Sequence, residues 1–366
     1  MSAPQPSLEP GSEPYKPRYI DRHPDDLKDV IGRAKEVGCT KLIVTGSDFT
    51  SSRDSLELAK EFRCSAIFCK GGHGRHDEHT TPCEPEDPEQ SEHQGEPDAE
   101  TSAKVIEKFV TFLTDARSSG EGLVAVGEFG LDYDRLNFCS KAAQLHSFEA
   151  QLKVVASLQP QLPLFLHSRA AHRDFVDLLK GAFGERLERL EKGGVVHSFT
   201  GTIEEMKELM DLGLHIGVNG CSLKTEENLA MVKEVTLDRI MLETDGPWCE
   251  VRPSHAGYQY LIEKKPEPEL PVPNGDAQLP VGAAQQQTKR PKKQKNQKKE
   301  PDVPNRFKIV KKEQWQEGAM IKGRNEPCTI ERVAKIVAAV KGVTIEELCE
   351  ASWRNTVNVF GLGERS

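Results

Sequence analysis

Two short stretches, PLFLHSR (163–169) and GGVVHSF (193–199), each run apolar residues into a histidine and then a serine. One histidine at the end of a strand is ordinarily a hydrogen-bonded core residue. Two at equivalent places invite a search for partners, and carboxylates supply them: GLVAVGE (122–128) ends on Glu128, and RIMLETD (239–245) ends on Glu243 and Asp245. Glu128, His167, His197 and Asp245 on one mouth would make a donor set for Zn²⁺ or Mn²⁺, or with more oxygen ligands Mg²⁺. A cation held this way activates water. Two of them about 3.5–4 Å apart can hold both the attacking and the leaving oxygen of an in-line phosphoryl displacement. Gly246 and Pro247 turn the chain away after Asp245 and leave its carboxylate in the mouth, where it could ligate metal while orienting or deprotonating water. An aspartate that merely starts a turn is the plain alternative.

These residues need a scaffold that brings distant strand ends together. KLIVTG (41–46), SAIFC (65–69), GLVAVGE, LPLFLH (162–167), GGVVHS (193–198), LHIGV (214–218) and RIMLET (239–244) are continuous apolar runs of strand length, as expected of parallel strands buried on both faces. Amphipathic helical patterns alternate with them. One places Leu27, Val30, Ile31 and Ala34 on a single face, and another Leu145, Phe148, Leu152 and Val155. Repeated units of about 30 residues predict an α/β chain folded as a TIM-like (β/α)8 barrel, with a doubly wound sheet as the alternative. In a barrel the loops after the strands build the active face, so all four candidate ligands would meet there. Asp132 and Asp134 could cap the next helix instead.

The motifs GEFGLDYDR, FLHSR, VVHSFTGT, IGVNGCSLKT, ETDGPW and GRNEP, in that order, resemble those of the TatD-type metal-dependent deoxyribonucleases, particularly their eukaryotic branch. The resemblance runs from about Asp25 to Gly361. It implies a barrel hydrolase that cuts phosphodiester bonds of DNA, as a 3′-to-5′ exonuclease and/or an endonuclease, with one or two divalent ions, Mg²⁺ first and Mn²⁺ or Zn²⁺ as alternatives. It implies metal binding by Glu128, His167, His197 and Asp245, the four already reached from strand ends, with Glu128 and Asp245 as the catalytic carboxylates.

Other residues suit a phosphate-bearing substrate. Arg169 could meet a phosphate oxygen, or pair with Asp132 or Asp134. NGCSLK (219–224) offers a glycine-containing turn with Asn219, Ser222 and Lys224. Arg324 and Glu326 of RNEP precede a helix starting at Pro327; the resemblance implies that this segment closes the barrel near the site, and a structural salt bridge is the alternative. Trp248 could stack on an unpaired base or pack under its loop.

Composition bounds the remainder. The chain has 366 residues, is 36% hydrophobic and carries a net charge of −9. The acid is concentrated in 77–100, with ten Asp/Glu, four Pro and no Lys or Arg, while 285–300 holds seven Lys/Arg. Both read as disordered, which sets the expected organisation: a disordered segment 1–15, then a single hydrolase barrel over 16–366 interrupted by insertions at about 74–100 and 264–304. The basic stretch could be a solvated loop, a phosphate-backbone tether or a nuclear-import patch. Nine scattered cysteines without a C-x-x-C pair predict reduced thiols, and together with the want of a long apolar run they predict a cytoplasmic or nuclear protein with no membrane contact; that its partner is DNA, as a single strand or a duplex end, is what the resemblance implies. The first strand departs from the family pattern: KPRYID (16–21) passes straight to a helix-starting PDDL, so Asp21 and His23 are weak candidate ligands, and FCKGGHGRHDEHTTP (68–82) offers His73, His76 and His79 in uncertain register. A shortened strand is expected to leave neighbouring backbone groups unpaired, at roughly 1–3 kcal/mol each if buried. That cost motivates a second expectation, a catalytically impaired relative that binds nucleic acid or protein; a small-molecule amidohydrolase is a third.

Overall fold

Strand order separates the two candidate architectures. The computed structural model describes residues 24–62, 65–68, 97–120, 122–262 and 303–363. Within them, all seven apolar runs form strands: β1 (Ile43–Thr45), β2 (Ser65–Phe68), β3 (Leu123–Asp132), β4 (Leu164–Arg169), β5 (Gly194–Val196), β6 (His215–Val218) and β7 (Ile240–Leu242). Each pairs in parallel with the next, from β1 to β7 without a reversal. A doubly wound sheet reverses its order at a switch point; an α/β barrel does not. Helix α1 (Leu27–Glu36) precedes β1. The chain then returns between strands through α2 (Phe49–Phe62), α3 (Ala99–Ser118), α4 (Lys141–Ser157), α5 (His172–Phe183), α6 (Ile203–Asp211) and α7 (Glu226–Glu234). The short strands β8 (Ile309–Val310) and β9 (Met320–Ile321) form a separate parallel pair, followed by α8 (Ile330–Lys341) and α9 (Ile345–Phe360).

The predicted first strand with Asp21 and His23, the segment 1–15, the histidines 73, 76 and 79, and the basic stretch all lie outside the described residues. The acid-rich insertion gives way earlier than expected. Asp98 accepts hydrogen bonds from the backbone N–H groups of Glu100 and Thr101, so α3 already begins at Ala99.

Two apolar layers follow from the pleat. Val126, Phe129, Leu164 and Leu166 face the helices, where Phe148 stacks on Phe175 at 5.4 Å and meets Phe129 edge-on at 5.6 Å. Inside, the buried Ala125, Val195 and Met241, from β3, β5 and β7, meet in one cluster with Phe360 and Leu362, and Ile43 of β1 and Phe165 of β4 pack against it. Buried members of one layer drawn from alternate strands follow the packing rule of a filled barrel.

The outer edge of β7 has no strand partner among the described residues. Its inner edge bonds β6 through the Arg239 carbonyl and the Glu243 N–H. Two of the groups that point the other way are met by α9: Ser352 Oγ accepts from the Leu242 N–H at 2.8 Å, and Asn355 Nδ2 donates to the Ile240 carbonyl and to that of Leu237, just before the strand, both at 2.9 Å. Beside a shortened strand, where backbone groups are expected to be orphaned, side chains of a helix thus replace part of the ladder. Asn355→Ala should lower the free energy of unfolding in urea by roughly 1–3 kcal/mol; an unchanged midpoint and slope would show that water satisfies those carbonyls.

Candidate metal centre

A bulge sets the site. Along β3, Ala125 faces the barrel interior and Val126 the helices, yet Phe129 and Leu131 also face the helices. Strict alternation would place Glu128 beside Val126, on the helix side. The register against β4 shifts between Gly127 and Phe129, and the extra residue turns Glu128 inward. Glycines flank it for a steric reason. A Cβ at Gly127 (φ +151°) would lie 2.0 Å from the Phe165 carbonyl oxygen, and one at Gly130 (φ +155°) 1.8 Å from that of His167. Glu128 is thus interior to a strand that runs on to Asp132, not at a strand end as the sequence suggested. His167 is likewise inside β4, two residues before its end. His197 follows β5 directly, and Asp245 comes three residues after β7.

The three side chains converge. Glu128 Oε1 lies 2.8 Å from His197 Nε2 and 3.1 Å from His167 Nδ1, and the two ring nitrogens stand 3.0 Å apart. One ligand atom from each residue falls within a span of 4.8 Å. Phe165 stacks on the His197 ring at 4.7 Å and fixes its plane. Burial pushes the Glu128 carboxyl up, but the His197 charge and hydrogen bonds from both rings outweigh it and hold the carboxyl well below the usual carboxylate range. Burial likewise favours a neutral His197, yet Glu128 and Glu243 together hold its pKa well above the ordinary imidazole value. Nitrogen and oxygen lone pairs gathered around shared positive charge are what a divalent cation takes over, so the donor set fits such an ion. Carboxylates stand behind both rings: Asp132 Oδ2 is 3.6 Å from His167 Nε2, and Glu243 Oε2 is 3.6 Å from His197 Nδ1. Glu243 is anchored through Oε1, which accepts from the Ser198 N–H at 2.6 Å. A Cβ at Gly217 would strike that same oxygen at 2.3 Å.

Asp245 sits on the same rim but outside the three-atom cluster. Its backbone is left-handed (φ +53°), and its Oδ2 accepts from Cys249 Sγ at 3.1 Å. Burial raises its carboxyl to about 6, against the lowering influence of His197. The loop is pinned by Asn325, whose Nδ2 donates to the Thr244 carbonyl and whose N–H donates to the Pro247 carbonyl. Asn325 is therefore the member of RNEP that reaches the site loop. Arg324 is engaged elsewhere: it grips both oxygens of Asp26 at 2.8 and 2.6 Å and shares Glu326 with Arg33, which binds it at 2.7 Å. Arg33 and Glu326 are 3% and 1% exposed, so with Arg324 they form a clamp holding α1 against the segment beside the site, the structural salt bridge expected as the alternative for RNEP.

A cavity of about 420 Å³ opens where the chain continues beyond the two histidines, lined by Ser168, Arg169, Phe199, Thr200, Cys221 and Lys224 among others. Arg169 spends one long bond, 3.4 Å, on the Ser198 carbonyl, while its buried Nε has no hydrogen-bond partner. Asn219 and Ser222, fully buried, act instead as reciprocal caps of their own turn: Asn219 Oδ1 accepts from the Cys221 N–H, and Ser222 Oγ accepts from the Asn219 N–H. What that turn presents to the cavity is Cys221 and Lys224. Asp132 accepts from the Asp134 N–H, the turn cap expected of it, in addition to its place behind His167.

Fold and site together define a parallel α/β barrel with a candidate divalent-metal centre at the C-terminal rim of its strands. A family model described as TatD related DNase matches residues 18–361, and this chain belongs to that family. It is 40% identical over 339 residues to the "Deoxyribonuclease Tat-D" of Schizosaccharomyces pombe, covering 93% of this chain and 88% of the relative. The protein of the same name from Saccharomyces cerevisiae is 31% identical, with 93% and 86% covered. A crystal structure described as an uncharacterized amidohydrolase from Saccharomyces cerevisiae superimposes with a TM-score of 0.66 at 28% identity over 93% of both chains.

The glycines of the bulge make a sharp test. Gly130→Ala should force β3 and β4 apart, cost roughly 3 kcal/mol or more, and abolish metal binding in a calorimetric titration. Gly181→Ala, with open space around it in α5, should be neutral or stabilise by about 0.4–1 kcal/mol. Equal behaviour of the two variants would contradict the steric account.

Proposed function

We propose that this chain is a TatD-type deoxyribonuclease that hydrolyses phosphodiester bonds of DNA at a centre formed by Glu128, His167, His197 and Asp245. The observation that carries the reading is the convergence of Glu128, His167 and His197 on one point at the rim. A divalent cation, when bound, supplies Lewis acidity toward the phosphodiester oxygen and makes a water easier to deprotonate. Mg²⁺ is the first candidate; the two nitrogen donors also suit Mn²⁺ or Zn²⁺, in one or two ions. Glu128, His167 and His197 hold the cation, with Asp132 and Glu243 behind the rings to orient them. Asp245 is the base. Cys249 occupies its Oδ2 and leaves Oδ1 for the proton of the attacking water.

The cavity receives the phosphate. The unpartnered Nε of Arg169 and the exposed Lys224 ammonium supply donors to its oxygens. Trp248, 57% exposed, offers a face for an unpaired base near the cut, which supports single strands or duplex ends as substrates. The intact three-donor cluster favours the enzyme over an impaired binding module. The same reading places the protein in the cytoplasm or nucleus, where thiols stay reduced.

Two measurements check these roles. Asp245→Asn should lower turnover of a labelled single strand roughly 10²–10⁴-fold with an unchanged circular dichroism spectrum, and chelator should abolish wild-type cleavage; wild-type turnover in that variant refutes Asp245 as the base. Trp248→Ala should weaken single-strand binding by about 1–3 kcal/mol while leaving binding of a covalently closed duplex, which has no end to unpair, nearly unaltered. Equal losses on both substrates would assign the ring to loop packing.

A further inference from the structure

Cys221 and Cys249 lie 28 residues apart in sequence and 2.8 Å apart between their sulfurs, the one pair of thiols in contact among the described residues. Both are held by rigid turns. Cys221 stands in the turn capped by Asn219 and Ser222, and Cys249 follows the Asp245–Trp248 turn closed by the Trp248 N–H. The main chains of these turns press together, since a Cβ at Gly220 would lie 1.9 Å from the Cys249 carbonyl oxygen. A disulfide needs about 2.05 Å between sulfurs, so a movement of less than about 1 Å closes the pair. Cys221 lines the cavity, which gives a small oxidant access, and Cys249 is the thiol that donates to Asp245.

We propose that Cys221 and Cys249 form a reversible oxidation site, closing to a disulfide under a hydroperoxide and withdrawing the thiol donor from Asp245. The sulfur of Cys221 attacks a peroxide oxygen, breaking the O–O bond and giving a sulfenic acid, while the other oxygen leaves as water from hydrogen peroxide or as the alcohol from an organic hydroperoxide. The sulfur of Cys249 then displaces the sulfenic hydroxyl as water. Two S–H bonds are lost, one S–S bond forms, and the two electrons end in the reduced peroxide. A disulfide sulfur has no proton to give, so Asp245 Oδ2 loses the partner that fixes its orientation. Formation of the bond is independent of what the enzyme cuts; its effect on catalysis rests on the nuclease reading above.

The test uses the full-length, Mg²⁺-loaded protein, reduced and then exposed to hydrogen peroxide, with free thiols alkylated before non-reducing peptide mapping. The expected result is one linked peptide pair containing Cys221 and Cys249, lost on adding dithiothreitol, with cleavage of labelled single-stranded DNA falling on the order of tenfold and recovering on reduction. In Cys221→Ser and Cys249→Ser, each compared with its own reduced form, peroxide should leave the rate ratio near one. Recovery of both cysteines alkylated, or as separate oxyacids, overturns the proposal, as does an equal peroxide loss in wild type and both variants. Absence of cleavage by the reduced wild type would refute the nuclease reading instead, while the mapping still decides the disulfide.

Discussion

One carboxylate oxygen, Glu128 Oε1, holds two buried imidazoles at 2.8 and 3.1 Å, and the rest of the rim is arranged around that contact. It exists only because β3 carries one residue too many. Without the bulge at Gly127–Phe129, the pleat would send Glu128 into the apolar layer under α4, where an unpaired carboxylate is prohibitively costly. With it, the charge points inward to two rings that neutralise it. The flanking glycines let β3 and β4 approach closely enough for His167 to come within reach.

A second tier keeps the fourth ligand candidate in place. Asp245 occupies a left-handed position in a loop that Asn325 pins by two hydrogen bonds, and Asn325 lies between Arg324 and Glu326 of the four-charge clamp on α1, in which Asp26, Arg33 and Glu326 are buried and Arg324 is partly exposed. Such buried charges stabilise little compared with an apolar packing of the same volume, but they fix register tightly, because any displacement strands a guanidinium or a carboxylate. The clamp thus ties the first described helix to the loop after the last strand of the sheet. Helix α9 closes the edge of that strand through Ser352 and Asn355.

The strands are legible because each reads as an unbroken apolar run, as the buried faces of β3 to β7 require; any ionisable residue breaking such a run stands out, which is how Glu128, His167 and His197 come forward. Phase was not legible. A period-two reading puts Glu128 with Val126, and nothing local announces the extra residue except the spacing of Gly127 and Gly130. The sequence presents the polar residues of the turn 219–224 as phosphate donors, whereas Asn219 and Ser222 cap the backbone, a role that depends on how deeply the turn is buried. Partnerships across the chain were likewise hidden: Arg324 with Asp26, Asn325 with Thr244, and Cys221 with Cys249 join residues whose proximity only the closed fold creates.

The most direct measurement is an anomalous difference map from crystals of this chain soaked in Mn²⁺. A peak bounded by Glu128 Oε1, His167 Nδ1 and His197 Nε2, with the imidazoles drawn off the carboxylate and onto the ion, is the predicted result. Strong anomalous density elsewhere, with the carboxylate and both rings still bonded only to one another, would contradict the claim that this cluster is the metal centre.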